Sequence, residues 1–100
     1  MRITFAAALV MQAIGAGHCH GFDIVEVTGY PTGTVYPALR RLERDRLVRS
    51  QWEPDRAAAR EGRPARRYYE LTASGVKALD TALQVIRRLD AASRLNPGRA

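Results

Sequence analysis

The segment 33–46, Gly-Thr-Val-Tyr-Pro-Ala-Leu-Arg-Arg-Leu-Glu-Arg-Asp-Arg, constrains the fold of this chain more than any other stretch. On a helical wheel Val35, Ala38, Leu39 and Leu42 share one face, while Gly33, Pro37, Arg40 and Arg44 lie opposite, flanked by Tyr36 and Arg41. Proline lacks the N–H that every helical turn after the first requires. With Thr34 as N-cap, Pro37 takes the third helical position and no bond is lost, so the pattern predicts a helix from Thr34 to about Arg46. Its apolar back must be covered by other elements. Its front carries arginine.

The flanking segments can supply that cover. Ile3–Ile14 is helical by the spacing of Phe5, Leu9 and Val10, has a broad apolar face, and ends at Gly15 and Gly17. A short helix fits His20 to about Val27, and Tyr30-Pro31-Thr32-Gly33 has the composition of a turn. Leu47–Trp52 and Arg67–Leu71 alternate as two strands, with Trp52 beside Tyr68 and Tyr69 expected to pack at their base, the alternative being that it flanks an effector pocket. Between them Pro54–Ala65 mixes proline, glycine and arginine with alanine, which predicts a mobile hairpin tip and not a helix. Thr72 caps a last helix from Ala73 to about Ala92, and Asn96-Pro97-Gly98 ends the pattern as a tail.

One hundred residues suffice for one core, and 46% apolar with 26% charged residues fits a folded chain. The net charge of +6 is unevenly placed: residues 37–67 carry ten Arg against five acidic residues. One basic surface is therefore expected, as a polyanion partner requires. Cys19 is the only cysteine, which excludes a disulfide framework and suits a reducing, cytoplasmic compartment. The apolar run Ile3–Ile14 is too short to span a bilayer, and its removal as a signal would strip the domain of its first helix, so no membrane role is expected.

Helix, helix, glycine-containing turn, helix, two strands and a final helix is the order of a winged helix-turn-helix. The fold expected is mainly α with a two-stranded β wing and a C-terminal dimerisation helix. Residues 1–71 would form the DNA-binding domain, 72–95 the dimerisation helix and 96–100 a tail. Three blocks, Gly17-His18-Cys19-His20-Gly21-Phe22-Asp23-Ile24, Gly33–Glu43 and Gly62–Gly75, resemble in order the signature of the PadR family of bacterial transcriptional regulators. The resemblance implies a DNA-binding repressor that a small-molecule effector, often phenolic or drug-like, releases from DNA. It also implies a terminal helix that pairs with the partner chain, so that the first and last helices share a dimer core, and a single C-terminal helix makes the chain similar to the short-tailed members. Three features depart from the family pattern: His18-Cys19 in place of a proline and an apolar residue, Thr32 after Pro31, and an Ala/Arg-rich tip at 55–61.

The residues expected to meet double-stranded DNA follow from these placements. Thr32, Thr34 and Tyr36 carry short or planar donors at the start of the recognition helix, and Arg40, Arg41 and Arg44 line its front. The bland alternative pairs Arg40 with Glu43 or Arg41 with Asp45 on a solvated face. From the wing Arg63 and Arg66 would bind phosphate or the minor groove, and alternation lets only one of Arg66 and Arg67 face DNA. Val76, Leu79, Leu83 and Ile86, in 3-4-3 spacing, form the expected homodimer seam, some of them packing on the chain's own first helix, and the seam would place two recognition helices on a pseudo-palindromic operator. His18-Cys19-His20 is a poor metal site, because consecutive residues seldom converge on one ion. No nucleophile–base pair, paired carboxylates or phosphate loop indicates an enzyme, and no cofactor is expected. The alternative function is a winged-helix protein-interaction module that does not bind DNA.

Overall fold

The computed structural model describes residues 3–95. The order is α1 (Phe5–Gly15), α2 (Gly21–Thr28), α3 (Thr32–Arg44), β1 (Val48–Trp52), α4 (Asp55–Arg60), β2 (Arg67–Leu71) and α5 (Ala73–Leu95). The tail expected at 96–100 lies outside the described residues.

Thr4 starts α1 by accepting the Ala7 N–H on its side chain at 3.0 Å. Six residues of this helix are buried, among them Val10, Met11 and Ile14, so it is the central strut of the core. Gly29, left-handed at φ 75°, closes α2 by donating to the Val25 carbonyl. The core gathers Val10 and Met11 of α1, Ile24 of α2, Val35, Leu39 and Leu42 of α3, Val48 and Tyr69 of the sheet, and Leu79 of α5. Each fully buried aliphatic side chain contributes about 1.5–3 kcal/mol relative to exposure.

The start of α3 differs from the expectation. The helix begins at Thr32, with Pro31 and not Thr34 at the N-cap position. The extended Pro31 offers its carbonyl to the N–H of Thr34 at 2.9 Å and of Val35 at 3.1 Å, which pairs one first-turn donor without a side-chain cap. Pro37 consequently lies beyond the first turn and leaves the Gly33 carbonyl without an intrahelical donor. Because Gly33 is exposed, water can satisfy that carbonyl. At the other end Arg46 adopts φ 60° and the Leu47 N–H reaches back to the Leu42 carbonyl at 2.9 Å, turning the chain into β1.

β1 and β2 are antiparallel, with Val48 opposite Leu71, Ser50 opposite Tyr69 and Trp52 opposite Arg67. The loop before α2 adds a short third edge: the Tyr69 N–H donates to the Cys19 carbonyl at 2.8 Å, and His20 bridges Tyr68. The tip between the strands, read from the sequence as mobile and non-helical, instead carries α4. Pro54 starts it, Asp55 suits its first turn and Arg60 its last, three alanines fill its middle, and the left-handed Gly62 follows. Ala58 is buried.

Thr72 caps α5 as expected, accepting the Gly75 N–H at 3.0 Å, and its hydroxyl also donates to the Arg46 carbonyl at 2.7 Å. Here α5 docks so closely that a Cβ at Gly75 would overlap the Leu47 carbonyl. The seam expected at Val76, Leu79, Leu83 and Ile86 is not one surface. Leu79 is buried in the protomer's own core, Leu83 packs against that core, and Val76 is exposed. The helix leans on α1 through the side that bears Leu79, which rotates the remaining apolar stripe to Ala82, Val85, Ile86 and Leu89. None of the helices among the described residues is long and apolar enough to cross a membrane.

Candidate nucleic-acid interface

The fold turns α3 so that Val35, Leu39 and Leu42 are buried and the opposite face meets solvent. Thr32, Arg40, Arg41 and Arg44 are exposed on that face; Thr34 and Tyr36 are half-buried. The Tyr36 ring lies directly against the Gly21 backbone, where any Cβ would overlap it, so α2 approaches α3 closely only because residue 21 is glycine. The pairings of Arg40 with Glu43 and of Arg41 with Asp45 do not form. Neither Arg40 nor Arg41 has an ion pair among the described residues, and Arg44 has only a long contact to Asp45, 3.9 Å.

Glu43 is engaged elsewhere. Its carboxylate accepts the Ser50 hydroxyl of β1 at 2.6 Å and Nη2 of Arg67 from β2 at 3.2 Å, while Arg67 Nε donates to Ser50 Oγ at 2.9 Å. The Arg67 guanidinium also lies over the Trp52 ring at 5.7 Å and the Tyr69 ring at 6.0 Å. This cluster ties α3 to the wing.

The two arginines expected to reach DNA from the wing have different surroundings. Arg63 forms a two-bond pair with Glu53 whose carboxylate is only 11% exposed, so its guanidinium is occupied inside the wing and not offered to phosphate. Bonding to Arg63 holds the Glu53 carboxyl far below its ordinary range, at about 2, and raises Arg63 in turn. Arg66 keeps its side chain free of ion pairs among the described residues. It lines one cleft together with Arg67, although alternation predicted opposite faces, because Arg66 precedes the paired strand and escapes its period.

That cleft, about 570 Å³, opens between α3 and the wing; Phe22, Tyr36, Arg40, Trp52, Arg66 and Arg67 are among its lining. Trp52, expected to pack at the base of the strands, is 61% exposed because it stands at the outer end of β1, beyond the reach of the core. Phe22, not singled out in the sequence, is 71% exposed across from it. An apolar residue immediately after the first helical glycine of α2 was the available signal. At His20 burial lowers the imidazole pKa and nearby Arg66 adds to it, which favours a neutral ring. Burial likewise raises the Cys19 thiol, the opposite of an activated nucleophile. No group of three or more metal-ligating side chains converges among the described residues.

This geometry has counterparts. A PadR family transcription regulator from hypervirulent Clostridium difficile is similar with a TM-score of 0.81 at 23% identity, over 95% of this chain and 100% of that one. A PadR-like transcriptional regulator from Bacillus cereus gives 0.75 at 17% identity, over 94% and 92%. A MepR mutant from a multidrug-resistant S. aureus isolate gives 0.69 at 22% identity, over 90% of this chain and 62% of its own length. Among curated protein sequences none matches. The structural likenesses establish a winged fold, with helices, wing and long final helix in the order read from the sequence. The sequence profile of the transcriptional regulator PadR-like family matches residues 10–81, from within α1 through the wing to the first turns of α5. The chain therefore belongs to the PadR-like family of transcriptional regulators and is not an enzyme.

Proposed function

We propose that this regulator binds duplex DNA in the cytoplasm as a homodimer, reads a pseudo-palindromic operator with α3, and represses transcription until a small-molecule effector releases it. One observation carries the proposal: α3 buries Val35, Leu39 and Leu42 while Arg40 and Arg41 face solvent without ion-pair partners among the described residues. A charged surface left unneutralised beside exposed Thr32 suits a polyanion whose base edges accept from arginine. Arg66 adds a phosphate contact from the wing, and Arg44 a weaker one.

Dimerisation is supported by apolar surface that the protomer leaves open. Phe5, Val85 and Leu89 are exposed, and a groove of about 420 Å³ between α1 and α5 is lined by Ile3, Phe5, Ala8, Ala82, Val85 and Ile86 among others. A second copy, laying its own α5 there, covers these side chains and sets two recognition helices about one DNA turn apart.

Gel shifts at several salt concentrations, using DNA from upstream of the chain's own gene and a scrambled duplex, test the reading. The expected result is preferential binding with a log–log salt slope of about −0.9 per phosphate contact. A reporter driven by that DNA should be silenced by the wild type and not by Arg40→Ala. Absence of both sequence preference and salt dependence would instead favour a protein partner.

A further inference from the structure

We infer that the cleft between α3 and the wing is the seat of one sugar–phosphate strand of duplex DNA, walled by Trp52 and Phe22 and supplied with phosphate donors by Arg40 and Arg66. The inference rests on the DNA-binding reading above and adds a strand path and two apolar contact residues to it.

When a winged helix docks, its recognition helix enters the major groove and its wing reaches the adjacent groove or the backbone. A single sugar–phosphate strand separates neighbouring grooves, so that strand must pass between the two elements. In this protein the space between them is an open cleft, with Tyr36 and Arg40 of α3 on one side and Trp52, Pro64, Arg66 and Arg67 of the wing on the other. Its two most exposed rings, Trp52 at 61% and Phe22 at 71%, are large apolar surfaces with no partner in the protomer's core. Deoxyribose presents C–H faces between successive phosphates, which is the surface such rings can cover without meeting an unsatisfied polar group.

The charges suit the same occupant. The carboxylates that bond to the cleft's lining arginines are already engaged, Glu43 by Ser50 and Arg67 and Glu53 by Arg63 and the Arg66 N–H. Neither repels an incoming phosphate as a free carboxylate would. Arg40 and Arg66 stand on opposite walls without ion pairs among the described residues. Arg67, pinned at the floor, lies over the Trp52 ring and holds the wall in place. Apolar walls with cationic donors at two edges match a strand that alternates sugar and phosphate.

Trp52 is the only tryptophan, so its fluorescence reports directly on the cleft. The full chain is titrated with an end-labelled duplex of random sequence, following label anisotropy for binding and tryptophan emission for cleft occupancy. Emission is expected to change in step with anisotropy, and both to reverse on adding salt. Trp52→Ala should weaken operator and random duplex alike by about tenfold while leaving the salt slope unchanged, because the lost contact is apolar. Trp52→Phe should restore most of that affinity, and Arg66→Ala should lower the slope by about one. Hydroxyl-radical footprinting should show protected sugars on the strand between the α3 and wing contacts, with the protection lost in Trp52→Ala. Binding by anisotropy without any change in emission, or a Trp52→Ala loss confined to one sequence, overturns the inference. A small aromatic anion that alters the emission while duplex binding persists also overturns it. If no duplex binds at low salt, the DNA-binding reading fails and this inference fails with it.

Discussion

Glu53 grips Arg63 with both carboxylate oxygens, Oε1 accepting from Nη1 at 2.6 Å and Oε2 from Nη2 at 3.0 Å. The same Oε1 accepts the Arg66 N–H at 3.2 Å, and the Glu53 N–H donates to the Arg66 carbonyl at 2.8 Å. These bonds close the base of the loop that carries α4. A carboxyl held down at about 2 in the folded wing stabilises that wing above its ordinary value of 4.5. The contribution is lost as pH falls between those two values. Amide protection across 54–66 is therefore expected to drop over that window while α1 and α3 stay protected. Glu53→Gln should show the lowered protection already at neutral pH. Equal protection in both proteins at both pH extremes would show that α4 orders the loop without the clamp.

Arg40 sits on the exposed face of α3, next in sequence to the buried Leu39. Arg40→Ala is expected to weaken operator binding by about 1–3 kcal/mol if it meets a guanine edge, with circular dichroism unchanged. A phosphate contact would instead weaken all duplexes equally and lower the salt slope by about one. Unchanged affinity on both kinds of duplex removes Arg40 from the interface.

Two glycines should respond to alanine in different ways. At Gly75 the new methyl meets the backbone carbonyl of Leu47, which cannot turn aside, and the start of α5 must shift. A destabilisation of about 1–3 kcal/mol is expected, read as a lower Tm. At Gly21 the methyl meets the Tyr36 ring, so the displaced side chain belongs to α3 itself. Gly21→Ala should therefore lower DNA affinity as well as Tm, whereas Gly75→Ala should leave affinity per folded molecule unchanged.

The dimer proposal separates residues that the sequence grouped together. Leu79→Glu buries a charge in the protomer's own core and should unfold it, since an unpaired buried charge costs several kcal/mol, or about as much as a marginal domain can lose. Leu89→Glu alters only exposed surface, 67% accessible in the protomer. It should yield a folded monomer in sedimentation, with operator affinity lowered about tenfold or more as two-site binding is lost. A Leu89→Glu variant that still sediments as a dimer would place the interface elsewhere.

The elements legible in the sequence were those with local causes. The bounds of β2 and the Thr72 cap follow from alternation and from one hydroxyl, and α2 from its apolar spacing and Gly29. The start of α3 is not where Pro37 alone would put it, because burial of Val35 and the Pro31 carbonyl outweigh one missing bond. α4 was missed because Pro54 and Gly62, read as breakers, serve as its two ends. The site was harder. Glu43 and Arg67 are 24 positions apart, and Glu53 and Arg63 bracket a loop whose closure no local pattern encodes. Without those pairs Arg63 looked free, and the stripe through Val85 and Leu89 was hidden behind a 3-4-3 pattern that the core partly absorbs.

The bond triangle of Glu43, Ser50 and Arg67 has a mechanical consequence. A recognition helix pinned to both strands of its wing cannot pivot without breaking at least one of those bonds. The span between the helix tip and the wing is thus braced like a calliper, by bonds set when the chain folds. In the proposed dimer, tolerance for half-sites spaced wider or narrower must come from the two callipers swinging about α5. On the proposed reading, an effector that loosens the grip would have its leverage at that hinge, far from Arg40 and Arg66.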